Sequence, residues 1–287
     1  MRLAPTAPGT LMTASHRTHK RPLALAHLTV LDTTPPELVT VAAAAGFDQV
    51  GIRLYANPSV GMPPYDMLGD TPMLRETISR LKDTGVSVLD IEFLRFEPQL
   101  PEGIPDGFLE AGALLGAQYV LLMSAEPLEA RTLERFVELC ERAQQFNLHV
   151  CLENAVYTGV KTAADAARVV KQSGCANASV LVDALHFSRS GGVPAHLAAI
   201  DPALFRYAQI CDAVAALPRD ADGLIREART GRLWPGEGAL PLDELVAALP
   251  ATIPLAIEAP VRASAHLPAE ERAHLAYRKL TQLLDHT

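Results

Sequence analysis

Long apolar runs are missing from this sequence: none approaches the roughly 20 residues that a membrane-spanning helix needs, so no membrane partner is expected. Cysteine is scarce. The four present, Cys140, Cys151, Cys175 and Cys211, are scattered without a Cys-x-x-Cys pair, which points to a reduced, cytoplasmic setting. Cys151 and Cys211 lie inside apolar runs and read as small core residues. Charge of one sign never accumulates. The chain is 20% charged with a net charge of −8 and no basic stripe, which disfavours a sequence-independent grip on nucleic acid. No G-x-G-x-x-G follows the first apolar run, which removes support for a dinucleotide-binding sheet.

What is present suffices for a full core. At 287 residues and 49% hydrophobic content, the chain has no need to divide into several domains. The first 22 residues, MRLAPTAPGTLMTASHRTHKRP, are rich in Pro, Thr and basic side chains and lack the apolar segment of a secretion signal. They read as a flexible extension, with Met12 as another candidate start and no site role for His16 or His19. Residues 23–287 read as one catalytic domain.

From Leu23 onward two kinds of segment alternate. Eight short apolar runs recur: LALAHLTV, DQVGIRL, VSVLDIEFL, AQYVLLMS, LHVCLEN, SVLVDA, FRYAQICD and IPLAIEAP. Between them lie helical patterns such as PPELVTVAAAAG, TPMLRETISRLKDTG and ARTLERFVELCERAQQFN. In the second of these, Thr71-Pro72 is suited to open a helix and Gly85 to close it. Strands that are apolar throughout, separated by amphipathic helices, imply a parallel sheet covered on its faces. Eight of them fit a closed (β/α)8 TIM barrel in the α/β class better than an open doubly wound sheet.

Active sites of such barrels lie where the strands end. Strand five ends in Glu153, strand six in Asp183 and strand eight in Glu258, while strand seven carries Gln209 and then Asp212. One polar strand end is an ordinary turn or cap; four in succession are harder to explain in that way. Three crowded carboxylates repel one another and take up protons unless a cation neutralises them. One divalent metal held by Glu153, Asp183, Gln209 and Glu258 resolves this, with manganese preferred and magnesium, zinc or cobalt as alternatives.

The series Glu153, Asp183-x-x-His186, Gln209, Glu258 resembles the xylose isomerase-like TIM barrels, a superfamily of sugar phosphate isomerases and epimerases. The stretch WPGEGALPLDELVAAL, 234–249, is similar to the family's Gly-x-Gly loop. The resemblance covers nearly the whole chain after residue 22. It implies that the same four residues hold the metal, that His186 contacts a substrate oxygen, and that Glu153 and Glu258 act as base and acid on opposite faces of the substrate. Many relatives have His where this chain has Gln209; hydroxypyruvate isomerase and the dehydroshikimate dehydratases resemble it in using Gln.

Independently of the family, a metal chelated by a carbonyl and a neighbouring hydroxyl acidifies the intervening C–H, and a glutamate base can remove that proton. The expected function is a metal-dependent isomerase or epimerase of carbohydrate metabolism acting on a small hydroxylated carbonyl compound. The alternative is a lyase of the 3-dehydroshikimate or inosose dehydratase type. A non-catalytic binding protein is disfavoured because all four ligand positions are filled. An apurinic endonuclease is disfavoured by the acidic balance and by Arg53, Glu92 and Gln209 standing where extra histidines would be required. A homo-oligomer is compatible with the sequence.

Further residues near the rim are candidates for specificity. Arg53, Glu92, Arg262 and Trp234 are assigned to substrate binding, with an Arg53–Glu92 structural bridge as the competing reading. Arg95 also closes strand three. His27 reads as a satisfied core histidine, His149 as structural, Arg189 as a solvated loop residue, and His196, His266, His274 and His286 as surface positions. The long segment PRDADGLIREARTGRLWPGEG, with Arg226, Arg229 and Arg232, reads as a lid or binding loop enclosing a short helix at GLIREAR.

Overall fold

A computed structural model describes residues 21–98 and 106–286 of the chain. Eight parallel strands close into a barrel in sequence order: β1 (Leu23–Ala26), β2 (Gln49–Arg53), β3 (Ser87–Phe96), β4 (Tyr119–Ser124), β5 (His149–Glu153), β6 (Ala178–Asp183), β7 (Phe205–Ile210) and β8 (Leu255–Ile257). Pairing of β1 with β8, Ala24 opposite Ala256, seals the ring. The outer layer contains α1 (Pro35–Ala45), α2 (Pro72–Thr84), α3 (Asp106–Leu114), α4 (Glu129–Gln144), α5 (Ala163–Ser173), α6 (Ala184–Arg189), α7 (Ala221–Thr230), α8 (Leu242–Ala248) and α9 (Ala269–Leu284). None of the described helices is long and apolar enough to cross a membrane. The proposed N-terminal extension lies outside the described residues up to position 20.

Local sequence sets the helix ends. The Thr71 hydroxyl accepts from the Leu74 N–H at 3.1 Å to open α2, and Gly85 closes it at φ 76°, a left-handed turn in which a Cβ would be strained. The first apolar run behaves differently from its pattern. Only LALA is strand, and HLTV turns into a 3-10 helix because the Thr29 hydroxyl donates to Ile257 O at 2.9 Å and accepts from Ala259 N at 3.0 Å. A side chain there engages the backbone of the β8 end in place of a continuing ladder.

Strand periodicity divides the interior into two cores. Val150, Leu152, Val180, Val182, Ala208, Ile210, Leu255 and Ile257 pack outward against the helices. Cys151, Leu181, Tyr207 and Ala256 belong to a smaller cluster inside the barrel. Since side chains alternate along a strand, the residue two positions beyond each of these also faces inward. Those residues are Glu153, Asp183, Gln209 and Glu258. The strand pattern therefore delivers all four to one layer at the C-terminal mouth.

Candidate active site

The mouth holds a cavity of about 370 Å³, lined by Glu92, Glu153, His186, Arg232 and Glu258 among others. Asp183 and Gln209 are buried beneath its surface. One ligand-capable atom each from Glu153, Asp183 and His186 lies within 4.8 Å of the others. Oε1 of Glu153 and both amide atoms of Gln209 are buried without a hydrogen-bond partner. Such atoms are costly to leave unmatched; an oxygen-ligated cation answers the demand of the two oxygens, while Gln209 Nε2 requires an acceptor.

Asp183 caps α6. Its Oδ1 accepts from His186 N at 2.8 Å, and its Oδ2 accepts from Arg232 Nη1 at 2.6 Å. Burial would raise its carboxyl, but Arg232, His186 and these donors outweigh burial and hold it below the ordinary carboxylate value. Glu153 lacks such partners. Burial, reinforced by Asp183 and Glu258, raises its carboxyl well above the usual range. Glu258 lies between these cases: burial pushes it up to about 7, against the pull of Arg232 Nη2 at 3.0 Å from its Oε2. Burial depresses His186 to about 4, so its imidazole is neutral near pH 7. The ring stands edge-on to Tyr157 with centroids 5.6 Å apart.

Arg232 is the centre of this network. Besides Asp183 and Glu258 it donates to Ala228 O at 2.9 Å and Glu258 O at 3.0 Å, and its side chain is only 2% exposed. Sequence reading placed it merely in a long loop. The loop is aimed by Asp212, whose carboxylate accepts from the N–H groups of Ala213, Gly236, Gly238 and Leu240 at 2.8–3.0 Å. A Cβ on Gly238 would lie 2.3 Å from Asp212 Oδ1, so this close wrap requires glycine. Asp212 and Leu233 also exchange backbone hydrogen bonds of 2.9 and 2.8 Å. The Gly-x-Gly segment is thus a clamp that carries Arg232 to the carboxylates.

The other candidates separate. Arg53 and Glu92 line the cavity and pair with each other at 3.2 Å, with the guanidinium 5.2 Å above the Phe93 ring. His27 is fully buried, bonded through Nε2 to Thr33 O and through Nδ1 to Arg53 N. Two substrate-binding candidates are not brought to the cavity. Trp234 is 2% exposed and donates to Ser264 Oγ at 3.1 Å, so its indole is committed to packing. Arg262 is exposed on the 3-10 helix that follows β8, outside the cavity lining. Arg189 is not solvated but buried against Glu227, where an apolar neighbourhood makes pairing obligatory. GLIREAR does form a helix, α7, and Tyr157 is a lining residue that the sequence did not single out.

Residues 39–279 match the family model of the xylose isomerase-like TIM barrel. The chain belongs to this family. Among curated proteins none matches the sequence significantly. Solved structures of similar fold include the IOLI protein with a bound zinc atom, at 19% identity and TM-score 0.77, covering 92% of this chain and 98% of that one. D-psicose 3-epimerase from Clostridium cellulolyticum H10 with D-tagatose is 14% identical at TM-score 0.67, with coverages of 92% and 98%. The 3-keto-D-glucoside 4-epimerase YcjR from E. coli is 17% identical at TM-score 0.66, with coverages of 92% and 99%. At such identities the likeness concerns the xylose isomerase-like barrel itself, and chemistry must be argued from this chain's own residues.

Proposed function

We propose that the protein is a divalent-metal-dependent isomerase or epimerase acting on a small hydroxylated carbonyl compound. The observation that carries this reading is the convergence of the Glu153 and Asp183 carboxylates beside the unpartnered oxygens Glu153 Oε1 and Gln209 Oε1. Charge supports it. Glu92 is paired with Arg53, and Asp183 and Glu258 with Arg232, so the four carboxylates, Glu153 included, when ionised exceed the two arginines paired with them by two negative charges. One divalent cation balances them.

Glu153, Asp183, Gln209 and Glu258 would hold the ion, with manganese the preferred species. When bound, it supplies Lewis-acid polarisation of a carbonyl oxygen. The protein supplies the proton traffic. Glu153 and Glu258 come from β5 and from the residue after β8, both line the cavity, and both carboxyls are raised, Glu153 well above the usual range and Glu258 to about 7, as suits groups that accept and return protons. One glutamate removes the proton next to the carbonyl. Its return to the neighbouring carbon isomerises the substrate, whereas delivery of a different proton from the other glutamate to the opposite face inverts the centre and leaves the first glutamate protonated. Neutral His186 donates or accepts a hydrogen bond at a substrate oxygen without adding charge. Arg232 keeps Asp183 ionised and steadies Glu258.

A lyase that expels a β-hydroxyl shares the first deprotonation, and the Arg229 guanidinium at the cavity wall favours the acidic substrates of that class. The test is incubation with Mn2+ and ketoses, inosose, hydroxypyruvate or 3-dehydroshikimate in heavy water. Deuterium entering the carbon next to the carbonyl without loss of water is the expected result. A conjugated product absorbing in the ultraviolet identifies the lyase. Full turnover in a metal-free preparation refutes the metal-dependent reading.

A further inference from the structure

The cavity wall divides by strand. The half that follows β1 to β4 presents Leu28, Leu31, Val60, Phe93, Leu121 and Met123. Its charged residues are paired, Arg53 to Glu92 at 3.2 Å and Arg95 to Glu97 at 2.6 Å, which leaves Glu92 Oε1 and the side chain of Asn57 as further polar groups on this half. The half that follows β5 to β8 carries Glu153, His186, Arg232 and Glu258. A substrate with hydroxyls all round would meet mainly apolar side chains on the first half and most of its polar partners on the second.

Helix α7 completes the wall. Ile225, Ala228 and Arg229, spaced i, i+3 and i+4, share the face that lines the cavity. The intervening Glu227 fastens the helix to α6: Arg189 donates to it from Nε at 2.7 Å and from Nη2 at 2.5 Å, with side chains 4% and 8% exposed. Arg189 Nη2 also donates to Val214 O at 2.8 Å. A buried bidentate pair of this kind fixes orientation as well as position. The helix that carries Arg229 is therefore held at the wall by a rigid anchor, and the exposed Arg229 side chain extends from it along the cavity lining. Yet among the described residues Arg229 has no hydrogen bond or ion pair, unlike Arg53, Arg95 and Arg232.

We propose that Arg229 receives an anionic group of the substrate, a carboxylate or a phosphate, while the reacting carbonyl lies at Glu153 and Glu258 and the connecting carbons rest on the apolar half. The preferred substrate is then an acidic hydroxylated carbonyl compound with a partly apolar body, not a neutral polyol. At about 370 Å³ the cavity lies at the small end of ligand pockets, which run from roughly 300 to 1,000 Å³, so one six-carbon compound with its acid group fills it. Which end reacts rests on the proposed function; the preference for an anion does not.

Calorimetric binding to the Mn2+-supplied protein tests this with two matched pairs: D-fructose against D-fructose 6-phosphate, and neutral inosose against 3-dehydroshikimate. At least one acidic member should bind about tenfold or more tightly than its neutral counterpart, equivalent to about 1.4 kcal/mol, and the difference should shrink with added salt. The first pair reports a phosphate and the second a carboxylate. Arg229→Gln should abolish the preference and Arg229→Lys should keep most of it, both with unchanged metal content and melting temperature. Neutral members binding as tightly as acidic ones, or an undiminished preference in Arg229→Gln, overturns the proposal. Failure of the isomerase or lyase reading is separately visible, as an anion preference without deuterium exchange or product from any compound.

Discussion

Arg232→Met isolates the role of the buried guanidinium. The substitution keeps an unbranched side chain of similar length but removes the contacts to Asp183 Oδ2 at 2.6 Å and Glu258 Oε2 at 3.0 Å. Both carboxylates are 5% exposed or less, so water cannot replace the lost partner. Removing one member of a buried ion pair costs about 3–5 kcal/mol, because the remaining charge is stranded. For a domain of this size that is a fall in melting temperature on the order of 10 °C. The stranded carboxyls can instead take up protons, which fixes the sign of the pH dependence. Their folded-state values rise above the unfolded ones, so the folded state binds more protons and stability falls as pH rises. In the native protein Asp183 is held low by Arg232 and resists this, while Glu258 at about 7 already contributes to it. Urea unfolding in chelator at pH 5.5 and pH 8 should therefore show a much larger deficit at pH 8. Excess Mn2+ should restore more stability to the variant than to the native protein. A deficit below about 0.5 kcal/mol at pH 8, or one independent of pH, refutes the assigned role.

Three other outcomes are expected. Affinity for Mn2+ should weaken as pH falls through about 7, since Glu258 must give up its proton to serve as a ligand; titrations from pH 5.5 to 8.5 by electron paramagnetic resonance check this. Asp183→Ala should lose the ion, while His186→Ala retains most of it and loses turnover, because Asp183 is oriented by the His186 backbone N–H and not by the imidazole; metal analysis of the purified variants decides between them. Asp212→Ala should cost about 3 kcal/mol in chemical denaturation, since it releases four N–H donors and the loop that carries Arg232.

Why some of this could be read from sequence and some could not is a matter of range. Glu153, Asp183, Gln209 and Glu258 were legible because a period-two rule within each strand decides which side chains face the barrel axis, and closure then gathers them without further information. Arg53 and Glu92 are opposed by register between β2 and β3, again a local consequence of pairing. Arg232 lies 49 residues from Asp183 in the chain, and Glu227 lies 38 from Arg189. Neither pair follows from periodicity. Both depend on a loop whose course is set by one aspartate binding successive backbone amides, and in sequence that aspartate looks like one more polar strand end. The same ambiguity misplaced Trp234 and Arg262: each stands beside a site residue in sequence, but one is drawn inward by its indole and the other is left at the surface. A signal for Arg232 existed all the same. Three strand-end carboxylates matched with one divalent ion leave one negative charge over, since Arg53 is taken up by Glu92, so charge requires an additional buried cation. Charge balance across the whole mouth, applied before any ligand set is fixed, would have asked which arginine of the following loop supplies it.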